Sequence, residues 1–60
     1  SQLAKRDELW TQAKQFLERS IDNKETALAY NELGLILLAL GQEDEAIKTF
    51  NKALNLNKNQ

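Results

Sequence analysis

The chain has 60 residues, a net charge of −1 and neither cysteine nor histidine. This composition excludes disulfides, thiolate metal sites and every reaction that depends on an imidazole base. The eight basic and nine acidic residues are spread along the whole chain, which excludes the concentrated basic face of a nucleic-acid-binding protein.

The rest of the composition favours a small helical protein. A chain of this length forms one domain or part of a larger one, and it buries only about 60% of its surface on folding. It contains no proline and two glycines, and it is rich in alanine, leucine, lysine, glutamate and glutamine, which are good helix formers. We therefore expect an all-α fold.

Residues 3–21 are predicted to form the first helix, whose apolar side chains recur every three or four residues. This spacing places on one face Leu9, Trp10, Ala13, Phe16, Leu17, Ser20 and Ile21. The charged triplet at 6–8 leaves open a later start, at Glu8 or Leu9. Trp10 is predicted to anchor the helix in the core, and the alternative is an exposed aromatic that binds a partner.

The second helix is predicted over residues 25–40. Asp22 or Asn23 caps its N-terminus, since the side chains of both residues accept hydrogen bonds from free backbone amides. Glu25 follows Asp22 at the spacing of a capping box. Gly41 ends the helix, because glycine readily adopts the left-handed conformation that helix C-termini often need.

An uncharged apolar stretch, LGLILLALG, fills the C-terminal part of this helix at 33–41. A membrane-spanning helix needs about 20 apolar residues, so the stretch is too short to cross a bilayer. Its position in mid-chain argues against a signal peptide. We therefore predict a buried helix rather than a span.

Both sides of the second helix are apolar. At about 100° per residue, one side carries Tyr30, Leu33, Gly34 and Leu37, and it is predicted to meet the third helix. The opposite side carries Leu28, Glu32, Leu35 and Ala39, flanked by Asn31, Ile36 and Leu38. A helix that is apolar nearly all round needs cover on nearly every side, and two neighbouring helices do not provide all of it.

Residues 43–57 are predicted to form the third helix. The acidic residues at 43–45 lie in its first turn, where carboxylates favour the positive end of the helix dipole. Lys48 and Lys52 share a face with Asp44, which predicts a solvated face with weak ion pairs and, as an alternative, a patch for an acidic partner. The apolar side of the helix consists of Ala46, Ile47, Phe50, Ala53, Leu54 and Leu56.

The first and third helices resemble each other at an offset of 33 residues, as in Ala13 and Ala46. The first helix has Trp10, Ala13, Leu17, Ser20 and Ile21 at the spacings at which the third has Glu43, Ala46, Phe50, Ala53 and Leu54. In both helices small residues stand at fixed places beside bulky ones, which lets another helix approach closely. A period of this length is typical of helical repeat proteins.

The second and third helices together resemble a tetratricopeptide repeat (TPR). That family's pattern has an aromatic residue, a Leu-Gly pair, a large residue and then Ala-x-x-x-Phe, and this chain has Tyr30, Leu33-Gly34, Leu37, Ala46 and Phe50. The resemblance covers Ala27–Gln60, one complete repeat. Tyr30 stands in place of tryptophan, and Lys58 stands where a closing proline is expected, which implies that the array ends with this repeat.

The resemblance implies a three-helix antiparallel arrangement of the α-α superhelix type. Residues 27–60 then form a complete helical hairpin within a single domain or fragment, 1–60. Residues 1–22 form the second helix of a degenerate or truncated preceding repeat, and Leu3-Ala4 is a remnant of that repeat's first helix.

The resemblance also implies a protein-interaction scaffold, because the first helices of TPRs line a groove that binds peptides. The residues placed there are Leu28, Asn31, Glu32, Leu35, Leu38 and Ala39. Only Asn31 matches the polar residues that grip a peptide carboxylate in some members. We therefore expect the partner to be an apolar or amphipathic helix or a second copy in a homodimer. The alternative is that missing repeats cover this face as core.

No combination of residues predicts an enzyme. The serine and threonine hydroxyls lack a histidine to activate them, and the acidic residues at 43–45 are explained by the helix dipole. The segment DNKETALAYNEL, 22–33, lacks the glycine and the alternating ligands of a calcium-binding loop. The two glycines form no phosphate-binding motif. We expect no catalytic residue, no metal site and no cofactor.

A second resemblance is narrower. The stretches LWTQAKQFLERSI and ALAYNELGLILLALGQ are similar to the C-terminal repeats of a bacterial inner-membrane protein family associated with haem biosynthesis. This implies a non-catalytic scaffold segment that belongs to a membrane-anchored protein without crossing the membrane itself. Haem binding without histidine, cysteine or methionine would require Tyr30 as the ligand, and the TPR pattern places Tyr30 in the core.

Overall fold

The computed structural model describes residues 2–58, with side chains from Ala4 onward. Three helices follow one another along the chain: α1 (Gln2–Asn23), α2 (Ala27–Ala39) and α3 (Glu43–Lys58). The helix α2 packs against both of the others, while α1 and α3 make no close backbone contact. The Cα atoms span 44 × 22 × 12 Å, so the helices form a thin layer with two broad faces. The predicted all-α, three-helix arrangement is confirmed.

The helix α1 is longer than predicted and has no break at the charged triplet 6–8. Arginine and glutamate are good helix formers, and neither glycine nor proline interrupts the helix. The Thr11 hydroxyl donates a hydrogen bond to the Asp7 carbonyl one turn earlier, at 2.8 Å. The alternative start at Glu8 or Leu9 is therefore wrong. The proposed remnant at Leu3-Ala4 lies within this helix, and the Leu3 side chain lies outside the described residues.

The N-terminus of α2 is capped by Thr26, and the predicted cap at Asp22 or Asn23 is wrong. The Thr26 hydroxyl accepts a hydrogen bond from the Ala29 backbone N–H at 3.1 Å, and Thr26 has the extended backbone of an N-cap residue. Because α1 continues to Asn23, Asp22 and Asn23 belong to the end of one helix. They are not available to begin the next.

The C-terminus of α2 is closed by Gly41, as predicted. Gly41 has a φ of 79°. The N–H of Gly41 donates to the Leu38 carbonyl at 3.0 Å, and the N–H of Gln42 donates to the Leu37 carbonyl at 2.8 Å. This pair of hydrogen bonds is a Schellman motif, which needs a left-handed residue at the position of Gly41.

The core lies where side chains of all three helices meet around α2. The buried cluster consists of Leu17, Leu33, Ile36, Leu37 and Ala46, with Ala13, Ile21, Leu40 and Phe50 packed against it. Tyr30, Leu33, Gly34 and Leu37 are all buried, which confirms the predicted internal side of α2. Ala46 and Ala53 of α3 are also buried, because small residues there let α3 approach α2 closely.

Candidate protein-interaction surface

One broad face of the layer carries a polar groove. It has a volume of about 280 Å³ and is lined by Lys14, Glu18, Tyr30, Leu33, Leu37, Gln42, Glu45, Thr49 and Lys52. An exposed ion pair joins Lys48 to Glu45 at 3.8 Å, so Lys48 pairs with Glu45 rather than with Asp44. Exposed pairs of this kind contribute little to stability.

Tyr30 makes two side-chain contacts on this polar side. Its phenol donates a hydrogen bond to Glu25 Oε1 at 2.9 Å, and Lys52 Nζ lies 5.8 Å from the centre of its ring. Burial raises the pKa of Tyr30 above its usual 10.0, and so do the hydrogen bond to Glu25 and the negative charges of Glu25 and Asp22. All of these effects favour the neutral phenol. Within residues 2–58, no group of three acidic side chains converges to form a metal site.

The second face is apolar and begins with a groove between α1 and α2. The groove has a volume of about 520 Å³ and is lined by Trp10, Ala13, Phe16, Leu17, Glu32, Leu35 and Ile36. Leu35 stands two residues from both Leu33 and Leu37, which is about 200° around the helix. Since Leu33 and Leu37 line the polar groove, Leu35 points to the other side of the layer.

The same geometry places two residues of α3 on the apolar side. Ile47 and Leu54 are both 58% exposed. Each stands two residues from a side chain that lines the polar groove, Glu45 and Lys52 respectively. A step of two residues turns a helix by about 200°, so Ile47 and Leu54 point away from the polar groove.

We call the surface formed by these side chains the apolar face. Its large members, each between 42% and 73% exposed, are Leu9, Trp10, Phe16, Leu28, Leu35, Leu38, Ile47 and Leu54. Large exposed apolar patches on a small protein often mark binding sites. All three helices contribute to it.

The six predicted partner-binding residues are exposed in the structure. Leu28, Asn31, Glu32, Leu35, Leu38 and Ala39 all lie on the uncovered side of α2. Ile36, which was predicted to flank this side, is instead buried at 8% exposure. It faces α1 and packs in the core with Leu17.

The prediction that Trp10 is a core anchor is wrong, because Trp10 is 42% exposed. The apolar stripe of α1 is too wide for one contact: Leu17 points into the core, whereas Leu9 and Phe16 lie on the outer part of the stripe and are 65% and 73% exposed. Sequence reasoning therefore missed the contribution of α1 to the apolar face. The sequence feature that indicates this contribution is the width of the apolar stripe on α1, which is too wide for one helix contact to cover.

None of the three described helices has the length and apolar content of a bilayer-spanning segment. No curated protein and no solved structure matches the chain. Residues 27–60, more than half of the chain, match the family model of the tetratricopeptide repeat. Repeats of this family suggest a protein–protein interaction scaffold and are generally not catalytic. The chain belongs to the tetratricopeptide-repeat family.

Proposed function

We propose that the chain is a non-catalytic interaction module whose apolar face binds the apolar side of one or more helices of a protein partner. The binding residues are the predicted ones on α2, namely Leu28, Asn31, Glu32, Leu35, Leu38 and Ala39, joined by Trp10 and Phe16 of α1. The observation that carries the proposal is the exposure of large apolar side chains on two adjacent helices around one groove.

The chemistry of the groove supports an apolar helix as its occupant. Among the residues that line it, Glu32 is the only charged one. Leu28, Leu35 and Ala39 follow one another at intervals of seven and four residues, the periodicity at which helices pack against each other. A groove of this kind suits helix-in-groove recognition.

The alternative explanation is that the apolar face is internal in a longer protein. The resemblance of α1 to α3 at an offset of 33 residues supports this explanation. Three residues of α3 are buried beside α2, namely Ala46, Thr49 and Ala53. Their equivalents in α1 are at least partly exposed, namely Ala13, Phe16 and Ser20, so a further helix could cover them. The more specific alternative, a scaffold segment in haem biosynthesis, gains no support from known proteins. The Tyr30 phenol, its only candidate ligand, is buried and hydrogen-bonded to Glu25.

The proposal is tested by titrating the 60-residue chain with a model amphipathic helix made of leucine and lysine. Heteronuclear NMR should locate the shifted resonances on the apolar face, around Leu35 and Phe16. Leu35→Glu should weaken binding by about tenfold or more, since interface centres dominate affinity. The matched control is Gln15→Glu, an exposed polar position on α1, which should bind as the original chain does.

Circular dichroism separates a loss of binding from a loss of the fold. If Leu35 is an interface residue, Leu35→Glu keeps the helical signal and loses only binding. If the isolated Leu35→Glu chain loses its helical signal, the titration is repeated with Phe16→Glu, since Phe16 is 73% exposed and the substitution should weaken binding to the same extent. Equal peptide binding by Leu35→Glu and Gln15→Glu would contradict the proposal.

A further inference from the structure

We propose that the protein partner of the apolar face is a second copy of this chain, and that the two copies pair face to face around a twofold axis with α2 at the centre. This inference rests on the proposed function, because it names the occupant of the same surface.

The size of the apolar face is the first argument. Aromatic side chains bury about 150–250 Å² each, and leucine and isoleucine have the lower end of that area. The eight large members of the face are 42–73% exposed, so together they expose on the order of 900 Å². A standard interface buries about 800 Å² per partner. The apolar face therefore has the area that a stable dimer of this kind needs.

The width of the layer is the second argument. The Cα atoms span 22 Å across the three helices, whereas a single helix with its side chains is about 10–12 Å wide. One docked helix would cover the groove between α1 and α2 and would leave Ile47 and Leu54 of α3 exposed. A second copy has a layer of the same dimensions and covers all three helices at once.

The symmetry of such a pair places α2 against α2. The helix α2 lies between α1 and α3. A twofold axis in the plane of the interface, whether it runs parallel or perpendicular to α2, therefore places α2 of one copy against α2 of the other. Leu28 and Leu35, which point outward from α2, then lie in the middle of the interface. Twofold pairing through one self-complementary patch is the commonest form of homo-oligomer, and a net charge of −1 per copy opposes it only weakly.

The test is sedimentation equilibrium of the 60-residue chain from about 10 µM to 1 mM, the range of concentration in which dimers of modest affinity form. The chain has a mass of 6.9 kDa, and we expect a concentration-dependent rise to twice that value. Leu35→Glu and Phe16→Glu should both weaken the dimer by about tenfold or more. Gln15→Glu, adjacent to Phe16 in sequence, should dimerise as the original chain does.

An isotope-filtered NMR experiment locates the contact. In a mixture of ¹³C-labelled and unlabelled chains, the methyl groups of Leu28 and Leu35 should show contacts to the other copy. If Leu35→Glu loses its helical circular dichroism, Phe16→Glu carries the test, because Phe16 is 73% exposed and its loss leaves the core intact.

A chain that stays at 6.9 kDa up to 1 mM would overturn the second copy as the partner. If that monomer still binds the model amphipathic helix through Leu35, the proposed function stands without the dimer. If the monomer does not bind the model amphipathic helix either, the proposed function and the dimer are both overturned. A dimer that persists equally in Leu35→Glu and Phe16→Glu would show that the copies meet through another surface, and it would overturn the inference.

Discussion

The ring of Phe50 lies on Gly34, in the space that a side chain at position 34 would occupy. A β-carbon built on Gly34 would lie 2.7 Å from Cδ1 and from Cζ of Phe50, and still nearer to Cε1. The helices α2 and α3 therefore pack closely through a glycine on α2 and an aromatic ring on α3. These are also two of the residues on which the TPR pattern depends.

The close contact predicts that Gly34→Ala destabilises the protein. Alanine is a better helix former than glycine by about 1 kcal/mol, but its methyl group must displace the Phe50 ring, and overpacking of this kind costs about 1–3 kcal/mol. We expect a net loss of up to about 2 kcal/mol in urea unfolding. Asn31→Ala, on the exposed side of the same helix, should be neutral or slightly stabilising. A Gly34→Ala chain that is more stable than the original by about 1 kcal/mol, the full gain in helix propensity, would contradict the contact.

Gly41→Ala should also destabilise, for a different reason. A β-carbon at Gly41 meets no atom within 4 Å, but the backbone has a φ of 79°, and a residue with a side chain pays about 1–2 kcal/mol in that region. Gly41→Asn should cost less, because asparagine tolerates the left-handed conformation. Thermal unfolding of the two variants gives the order, and equal melting temperatures would contradict the assignment of the Schellman motif.

Removing the N-cap of α2 should cost about 1 kcal/mol. Thr26→Ala loses the hydroxyl that accepts the Ala29 N–H, whereas Thr26→Ser keeps it. Asp22→Ala is the control, since Asp22 lies in α1 and does not cap α2. If Asp22→Ala destabilised the protein as much as Thr26→Ala in urea unfolding, Asp22 rather than Thr26 alone would cap α2, as the capping box in the sequence predicts.

Tyr30 predicts a loss of stability at alkaline pH. Its pKa is raised above 10.0 in the folded state, so the neutral phenol is favoured by folding. The resulting stability is fully present below pH 10 and is lost as the pH rises through the folded pKa, by at most about 1.4 kcal/mol per pH unit. Tyr30→Phe removes this dependence. Parallel stability curves for the two chains between pH 9 and 11 would contradict the buried phenol.

The sequence predicted the hairpin of α2 and α3 well because its signals there are local and mutually consistent. Gly41 marks a turn by its backbone freedom, and the spacing of Tyr30, Gly34 and Leu37 specifies one helix face. The cap of α2 was mistaken because Asp22, Asn23 and Thr26 are all acceptable caps, and only the length of α1 decides among them.

The candidate surface was predicted only in part. Periodicity identifies an apolar stripe on α1, but it does not say which half of the stripe another helix covers. Leu17 and Phe16 are neighbours in sequence, and the structure buries the first and exposes the second. Similarly, Ile47 and Leu54 belong to the predicted apolar side of α3, yet both are exposed, because α2 contacts α3 through Ala46 and Ala53 instead.

The most direct test of the central claim, that the apolar face binds a protein, is collisional quenching of the Trp10 fluorescence by acrylamide. Trp10 is the only tryptophan in the chain, it lines the groove between α1 and α2, and its indole is accessible in the single copy. We predict that the acrylamide quenching constant of Trp10 falls as the original chain is concentrated or mixed with the model amphipathic helix. In Phe16→Glu the quenching constant should stay at the value of the dilute chain in both conditions. Quenching that is unchanged in the original chain, while a dimer or a peptide complex is shown to form, would contradict the claim.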